Sequence, residues 1–168
     1  MSGAGVAGSP VRAYVGVGAN LGDALASVQA AVAALGGLPG TSLAGASSLY
    51  RSAPVDATGP DFINAVAAVD TWLAPEGLLD ELQALELRFG RERPYRNAPR
   101  TLDLDLLLFG EQRWHSERLT VPHPRLPERA FVLLPLLELA PGLCLPGGVA
   151  LASLLPAVQQ QAITRLAA

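Results

Sequence analysis

Two aspartates separated by one residue, in Leu102-Asp103-Leu104-Asp105-Leu106-Leu107-Leu108, carry the sharpest chemical signal in the chain. In a β-strand, residues two apart share a face. Asp103 and Asp105 would therefore point one way, while Leu102, Leu104, Leu106 and Leu108 point into a core. Their positions lie roughly 6.6 Å apart along such a strand, within reach of a metal pair about 4 Å apart. On a helix the same spacing would send them to nearly opposite sides. Carboxylates with few other charges nearby suit a hard cation such as Mg²⁺, held through water and substrate phosphate. A bare Asp-x-Asp also describes the polar outer face of an edge strand.

The neighbourhood separates the two accounts. Arg91, Arg93, Arg96 and Arg100 precede the aspartates, with Glu92 as the one offsetting acid. Arginine presents a planar fork that grips phosphate oxygens two at a time. Metal-binding carboxylates beside a cluster of such cations make a consistent phosphoryl-transfer site, where charge is neutralised and the protein supplies positioning. Any one of these arginines alone would be an ordinary solvated side chain.

Other residues could extend the site. His123, in Val121-Pro122-His123-Pro124-Arg125, is held between two prolines with Arg118, Arg125 and Arg129 nearby. It could bind phosphate, shuttle a proton or be a hydrogen-bonded structural histidine. Gln83 and Glu86 are three apart and share a helix face, which fits plain solvation as well as ligand contact. Phe62 and Asn64 share a strand face, where an aromatic ring beside a carboxamide could recognise a flat heterocycle or simply end a strand. Gly16-x-Gly18-x-x-x-Gly22 lacks the glycine spacing of a dinucleotide loop and is rejected as one.

The elements that must position these residues follow from periodicity. Val11, Ala13, Val15 and Val17 alternate as in a strand. Asp23 can cap a helix whose apolar stripe is Leu25, Val28, Val32 and Leu35, stopped at Gly36-Gly37. A second strand falls within Leu43 to Ser52, and Ala53 to Pro60 reads as a loop. Phe62 to Asp70 makes a third strand. Pro75 opens a second helix with the stripe Leu78, Leu82, Leu85 and Phe89, closed by Gly90. Residues Arg91 to Pro99 have no apolar period and read as an exposed loop. Thr101 to Phe109 is the fourth strand. The order β-α-β-β-α-β predicts an α+β fold, a ferredoxin-like split-βαβ sandwich with helices on one face of a mainly antiparallel sheet. A short hairpin, a short helix near Glu128 to Leu134 and a C-terminal helix are expected as additions. Residues 1–10 read as a flexible N-terminus and residues 11–168 as one domain.

Composition narrows the chemistry further. The chain has 168 residues, 50% hydrophobic and 16% charged, so a core is readily buried. All 12 basic residues are arginine. The absence of lysine excludes a Walker-type phosphate loop, a Schiff-base lysine and the lysine-centred part of kinase catalysis. Between Arg88 and Arg129 nine arginines face six acids, inside a chain of net charge −3. One basic stretch in an acidic protein points to a local anionic ligand and away from nucleic acid. Cys144 is the only cysteine, set between leucines, and reads as a buried, inert thiol. No apolar stretch approaches the ~20 residues of a membrane helix, and no signal peptide is visible, so a cytoplasmic location is expected.

Four segments in register resemble the 6-hydroxymethyl-7,8-dihydropterin pyrophosphokinases of folate biosynthesis. They are Tyr14-Val-Gly-Val-Gly-Ala-Asn20-Leu-Gly-Asp23, Asp61-Phe-Ile-Asn64, Pro99-Arg100-Thr-Leu-Asp103-Leu-Asp105, and Val121-Pro-His123-Pro-Arg125 followed by Glu128-Arg129-Ala-Phe131. The resemblance runs from about residue 11 to about residue 141. It implies that ATP donates its pyrophosphoryl group to the pterin hydroxymethyl, whose oxygen attacks the β-phosphorus in line and releases AMP. Asp103 and Asp105 match the ligands of two Mg²⁺ ions, and Arg91 and Arg93 match catalytic arginines of a mobile loop. Gln83, Glu86, Arg100, Leu106, Arg118, Thr120, His123 and Arg129 match nucleotide positions. Ser52, Ala53, Pro54, Val55, Phe62, Asn64 and Phe131 match the pterin pocket. The sequence departs from the family pattern near Asn97, where some members carry a tryptophan, and at Pro124, where some carry a tyrosine. The implied partners are small molecules alone, with no nucleic acid and no membrane, acting on a monomer.

Two other classes compete with this reading. A metal-dependent phosphohydrolase with Asp103 as nucleophile needs its strand to end just after the second aspartate, yet Leu106-Leu107-Leu108 continue it. A ferredoxin-like nucleotide- or RNA-binding module needs exposed aromatics on its central strands, and aromatics make up only 5% of the chain.

Overall fold

A computed structural model describes residues 8–53, 60–90 and 102–166. Strand β1 (Val11–Ala19) leads to α1 (Ala24–Leu35), β2 (Thr41–Ala46), β3 (Tyr50–Ser52) and β4 (Phe62–Thr71). Helix α2 (Pro75–Gly90), β5 (Asp103–Phe109) and a hairpin of β6 (Trp114–His115) and β7 (Thr120–Val121) follow. A 3₁₀ turn (Leu126–Glu128), α3 (Ala130–Leu139), a 3₁₀ helix (Leu151–Val158) and β8 (Ile163–Arg165) complete the described chain. Val121-Pro122 is a cis peptide.

The sheet runs β5-β1-β4-β3-β8, with β2 also paired to β4, and each pairing is antiparallel. Taking β2 and β3 as two halves of one strand, the order is fourth-first-third-second, as the split-βαβ reading requires. The expected single second strand divides because β4 is long enough to pair with β2 through Thr71–Ala67 and with β3 through Asn64–Phe62. Ser47 bridges the break, donating its amide to Val66 O at 2.8 Å and accepting the Val66 amide on Oγ at 2.9 Å.

Helices α1 and α2 cover one face through Val28, Ala31, Leu35, Leu78, Leu82 and Leu85, all 0–1% exposed. Asp23 caps α1 as predicted, accepting the Ala26 amide at 3.1 Å. Leu25, expected in that helix's core stripe, lies 43% exposed, because the inward stripe runs Ala24, Val28, Ala31 and Leu35. On the other face, which the sequence reading did not assign to any element, α3 and the C-terminal 3₁₀ helix pack against Tyr14, Val66 and Ala68, a change from a sheet covered on one side. A β-bulge explains part of the change. Val15 pairs with Leu106 and Tyr14 with Leu108, so Leu107 is the extra residue. It turns Leu108 away from the α1/α2 core, where strict alternation would put it, and into the α3 core. The predicted C-terminal helix is 3₁₀ rather than α, and the strand after it was not expected. Cys144 is exposed rather than buried. In the short bridge Cys144–Ala150 the flanking Leu143 and Leu145 turn inward, and alternation sends the thiol out.

Candidate active site

α3 covers only part of its face of the sheet, and the uncovered part is the floor of a pocket of about 470 Å³. The floor is set by register. Asp103 stands opposite Gly18, and Gly18 opposite Asn64, which in turn faces Tyr50. One step along, Asp105 stands opposite Gly16. Both aspartates therefore line the pocket together, as their spacing predicts. The glycines between them and Asn64 keep the floor low. A Cβ on Gly18 would lie 3.0 Å from Asn64 Nδ2, and one on Gly16 would lie 3.5 Å from Leu107. Glycine inside a strand signals close approach by another group, a signal that the rejected phosphate-loop reading of these residues left unused.

At the other end of the pocket, Ser52 donates its hydroxyl to Asn64 Oδ1 at 2.7 Å, with both residues buried. That bond fixes the carboxamide so that Nδ2 lies over Gly18, on the pocket side. Ala53, Phe62 and Phe131 line the same end. The Arg129 guanidinium sits 5.4 Å above the Phe131 ring, so cation and aromatic wall are held as a pair. Arg125, Glu128 and Gln161 also line the pocket and were not singled out in the sequence as ligand contacts.

His123 joins the aspartates. Its main-chain N–H donates to Leu107 O at 3.0 Å, tying it to β5. Nδ1 accepts the Arg125 amide at 3.1 Å, which leaves the ring proton on Nε2, 4.0 Å from Asp105 Oδ1. Burial pulls this imidazole below its ordinary value. Asp105 opposes the shift, and Arg129 and Arg125 add to it.

The remaining nucleotide candidates form a second group beside the edge strand β5. Glu86 Oε2 accepts the Leu104 amide at 2.8 Å, an amide that an edge strand leaves without a strand partner. Arg118, on the hairpin, bonds Asp80 and reaches Gln83 Oε1 at 3.2 Å, and Asp80 raises its pKa. Thr120 Oγ1 lies 3.3 Å from His115 Nδ1. Leu106 has its side chain buried in the α1/α2 core, so only its main chain can reach a ligand. Arg91, Arg93, Arg100, Pro54 and Val55 lie outside the described residues.

Fold and pocket together define an α+β protein of the ferredoxin-like class, with one pocket that has two carboxylates at one end and aromatic rings at the other. Comparison with known proteins names the family. Residues 14–141 match the family described as 7,8-dihydro-6-hydroxymethylpterin-pyrophosphokinase (HPPK), and the chain belongs to it. It is 53% identical over 156 residues to a 2-amino-4-hydroxy-6-hydroxymethyldihydropteridine pyrophosphokinase of Pseudomonas aeruginosa, covering 92% of this chain and 96% of that one. A protein of the same name from Haemophilus influenzae is 44% identical over 137 residues, 81% of this chain and 86% of the other. The fold is similar to a solved chain described as HPPK-DHPS in complex with substrates, with a TM-score of 0.70 and 12% identity. That match covers 89% of this chain and 43% of the solved one, so it speaks for the fold alone.

Proposed function

We propose that this chain transfers the pyrophosphoryl group of ATP to the hydroxymethyl oxygen of 6-hydroxymethyl-7,8-dihydropterin, releasing AMP, as a step of folate biosynthesis. One observation carries the reading. A single pocket on one face of the sheet has Asp103 and Asp105 at one end and the Ser52–Asn64 pair with Phe62 and Phe131 at the other. The triphosphate goes to the acidic end and the pterin to the aromatic end, which brings the hydroxymethyl oxygen to the phosphate chain. In the transfer, a bond forms between that oxygen and the β-phosphorus while the bond from the β-phosphorus to the α-phosphate oxygen breaks, and the hydroxyl proton passes to water.

The roles follow the chemistry of each side chain. Asn64, its Oδ1 already engaged by Ser52, offers Nδ2 to the heterocycle, and the two phenylalanines stack on its faces. Arg129 supplies positive charge to the phosphates, and the family resemblance gives Arg100 the same role and Arg91 and Arg93 that of catalytic arginines. Arg118, Gln83, Glu86, Thr120 and the Leu106 main chain hold the nucleoside end at the β5 edge. His123 keeps its proton on Nε2 and can donate it to a phosphate oxygen.

Two carboxylates on one strand face fit Mg²⁺, which completes its shell with water and phosphate. Among the described residues no group of three or more His, Cys, Asp or Glu could hold a metal by itself. Asp103 and Asp105 would hold two such ions, which when bound neutralise charge on the phosphates. We infer further that the chain works as a monomer in the cytoplasm, as one domain from residue 11 onward.

The test is AMP release from ATP and Mg²⁺, with and without the pterin. Pterin-dependent AMP is the expected result. ADP or free phosphate in its place would make the chain a kinase or phosphohydrolase and overturn the reading.

A further inference from the structure

The matched family region ends at residue 141, yet the chain beyond it reaches back to the pocket. Helix α3 starts without a capping side chain, because its N-cap residue is Arg129, which can only donate hydrogen bonds. The first amide of the helix, on Ala130, is instead accepted by Gln161 Oε1 at 2.9 Å. The same carboxamide donates through Nε2 to Glu128 O at 2.8 Å. Gln161 thus grips the main chain immediately before and immediately after Arg129. Gln161 is itself held, since its amide donates to Val158 O and the next residues pair with β3, Ile163 opposite Ser52.

We propose that Gln161 is a positioning residue for the pocket. By fixing both peptides that flank Arg129, it aims the Arg129 guanidinium and the Phe131 ring stacked beneath it into the site. The C-terminal segment is then a working part of the enzyme. This inference rests on the assignment of Phe131 and Arg129 to substrate binding made above. Geometry supports it on both sides, because the segment that carries Gln161 also pairs with Ser52, the residue that orients Asn64.

The test compares three variants with the whole enzyme. Gln161→Met keeps the side-chain volume and removes both hydrogen bonds. Gln161→Glu keeps the acceptor for Ala130 and loses the donor. Leu151→Ala is the structural control, a fully buried residue of the same segment that does not line the pocket. Gln161→Met is expected to raise the pterin KM about five- to tenfold, of the order that loss of a helix cap allows, with kcat within about threefold. Gln161→Glu is expected to recover part of that loss. Leu151→Ala is expected to lower Tm more than either yet leave the pterin KM within about twofold. An unchanged KM in Gln161→Met, or an equal rise in Leu151→Ala, would overturn the proposal. Hydrogen exchange at the Ala130 amide needs no substrate, so it separates failure of this inference from failure of the reaction assignment. Faster exchange in Gln161→Met supports the bracket, and unchanged exchange overturns it. If the wild type makes no pterin-dependent AMP, it is the reaction assignment that has failed.

Discussion

Asp105 and Glu138 occupy the same face of the sheet and carry the same functional group, yet their surroundings are opposite. Glu138, on α3, accepts the Ser48 amide and the Ser48 hydroxyl at 2.9 Å each and the Tyr50 hydroxyl at 2.7 Å, with Arg165 at 3.5 Å. Those donors hold its carboxyl below the ordinary range against the opposing pull of burial, while burial and Glu138 together push the Tyr50 hydroxyl up to about 12. Asp105 has 46% of its side chain exposed, and the imidazole Nε2 it meets lies 4.0 Å away. A carboxylate whose lone pairs are filled by its own protein joins elements; here it fastens α3, the turn before β3 and the strand β8. A carboxylate left open towards a pocket is available to a ligand.

That contrast can be broken by substitution. The largest effect is expected from Asp105→Ala, which should lower kcat by about 10³-fold and leave Tm almost unchanged. A variant that loses stability and keeps turnover would reverse the assignment. Glu138→Ala should do the opposite, costing about 2–3 kcal/mol by stranding charge-assisted donors and leaving kcat intact. Thermal melts beside the AMP assay would check both. Gly18→Ala lies between them, because the new Cβ would press on Asn64 Nδ2. It should raise the pterin KM by roughly tenfold, of the order of the cost of a displaced hydrogen-bonding group, with ATP affinity little changed.

The smallest effect is a pH dependence. The folded-state pKa of Glu138 is depressed, so its stabilisation is present above the ordinary carboxyl value of 4.5 and is lost as pH falls through the lower folded value. The stability difference between wild type and Glu138→Gln should therefore narrow below pH 4.5 and stay constant above it. Urea melts across that range would show a flat difference if the donors around Glu138 were unimportant.

Much of this was legible in the sequence because it depends on near neighbours. The alternation around Asp103 and Asp105, the cap at Asp23 and the stripe Leu78-Leu82-Leu85 are local patterns, and the structure follows them. Pairing Phe62 with Asn64 on one strand face was also readable, and Ser52 came through the family resemblance. What escaped depends on contacts distant in sequence. The bulge at Leu107 is a property of two strands and has no signature in one. Strand β8 is three residues long and exists because β3 offers an edge. Gln161 is one of three consecutive glutamines, and nothing in its neighbourhood says that it caps a helix 31 residues upstream. Cys144 was misread because two flanking leucines suggest burial, whereas alternation places it outside.

The register that sets Asp103 against Gly18 and Gly18 against Asn64 also bears on how the chain becomes an enzyme. These partners come from separate stretches of sequence, and closing such long loops is entropically expensive and late. The helices can form early and locally, but the two ends of the pocket meet only when β5 has docked on β1. Recovery of ligand binding after dilution from denaturant should accordingly trail the recovery of helical signal. A chain that ended before β5 would lack Asp103 and Asp105, and with them the whole acidic end of the pocket.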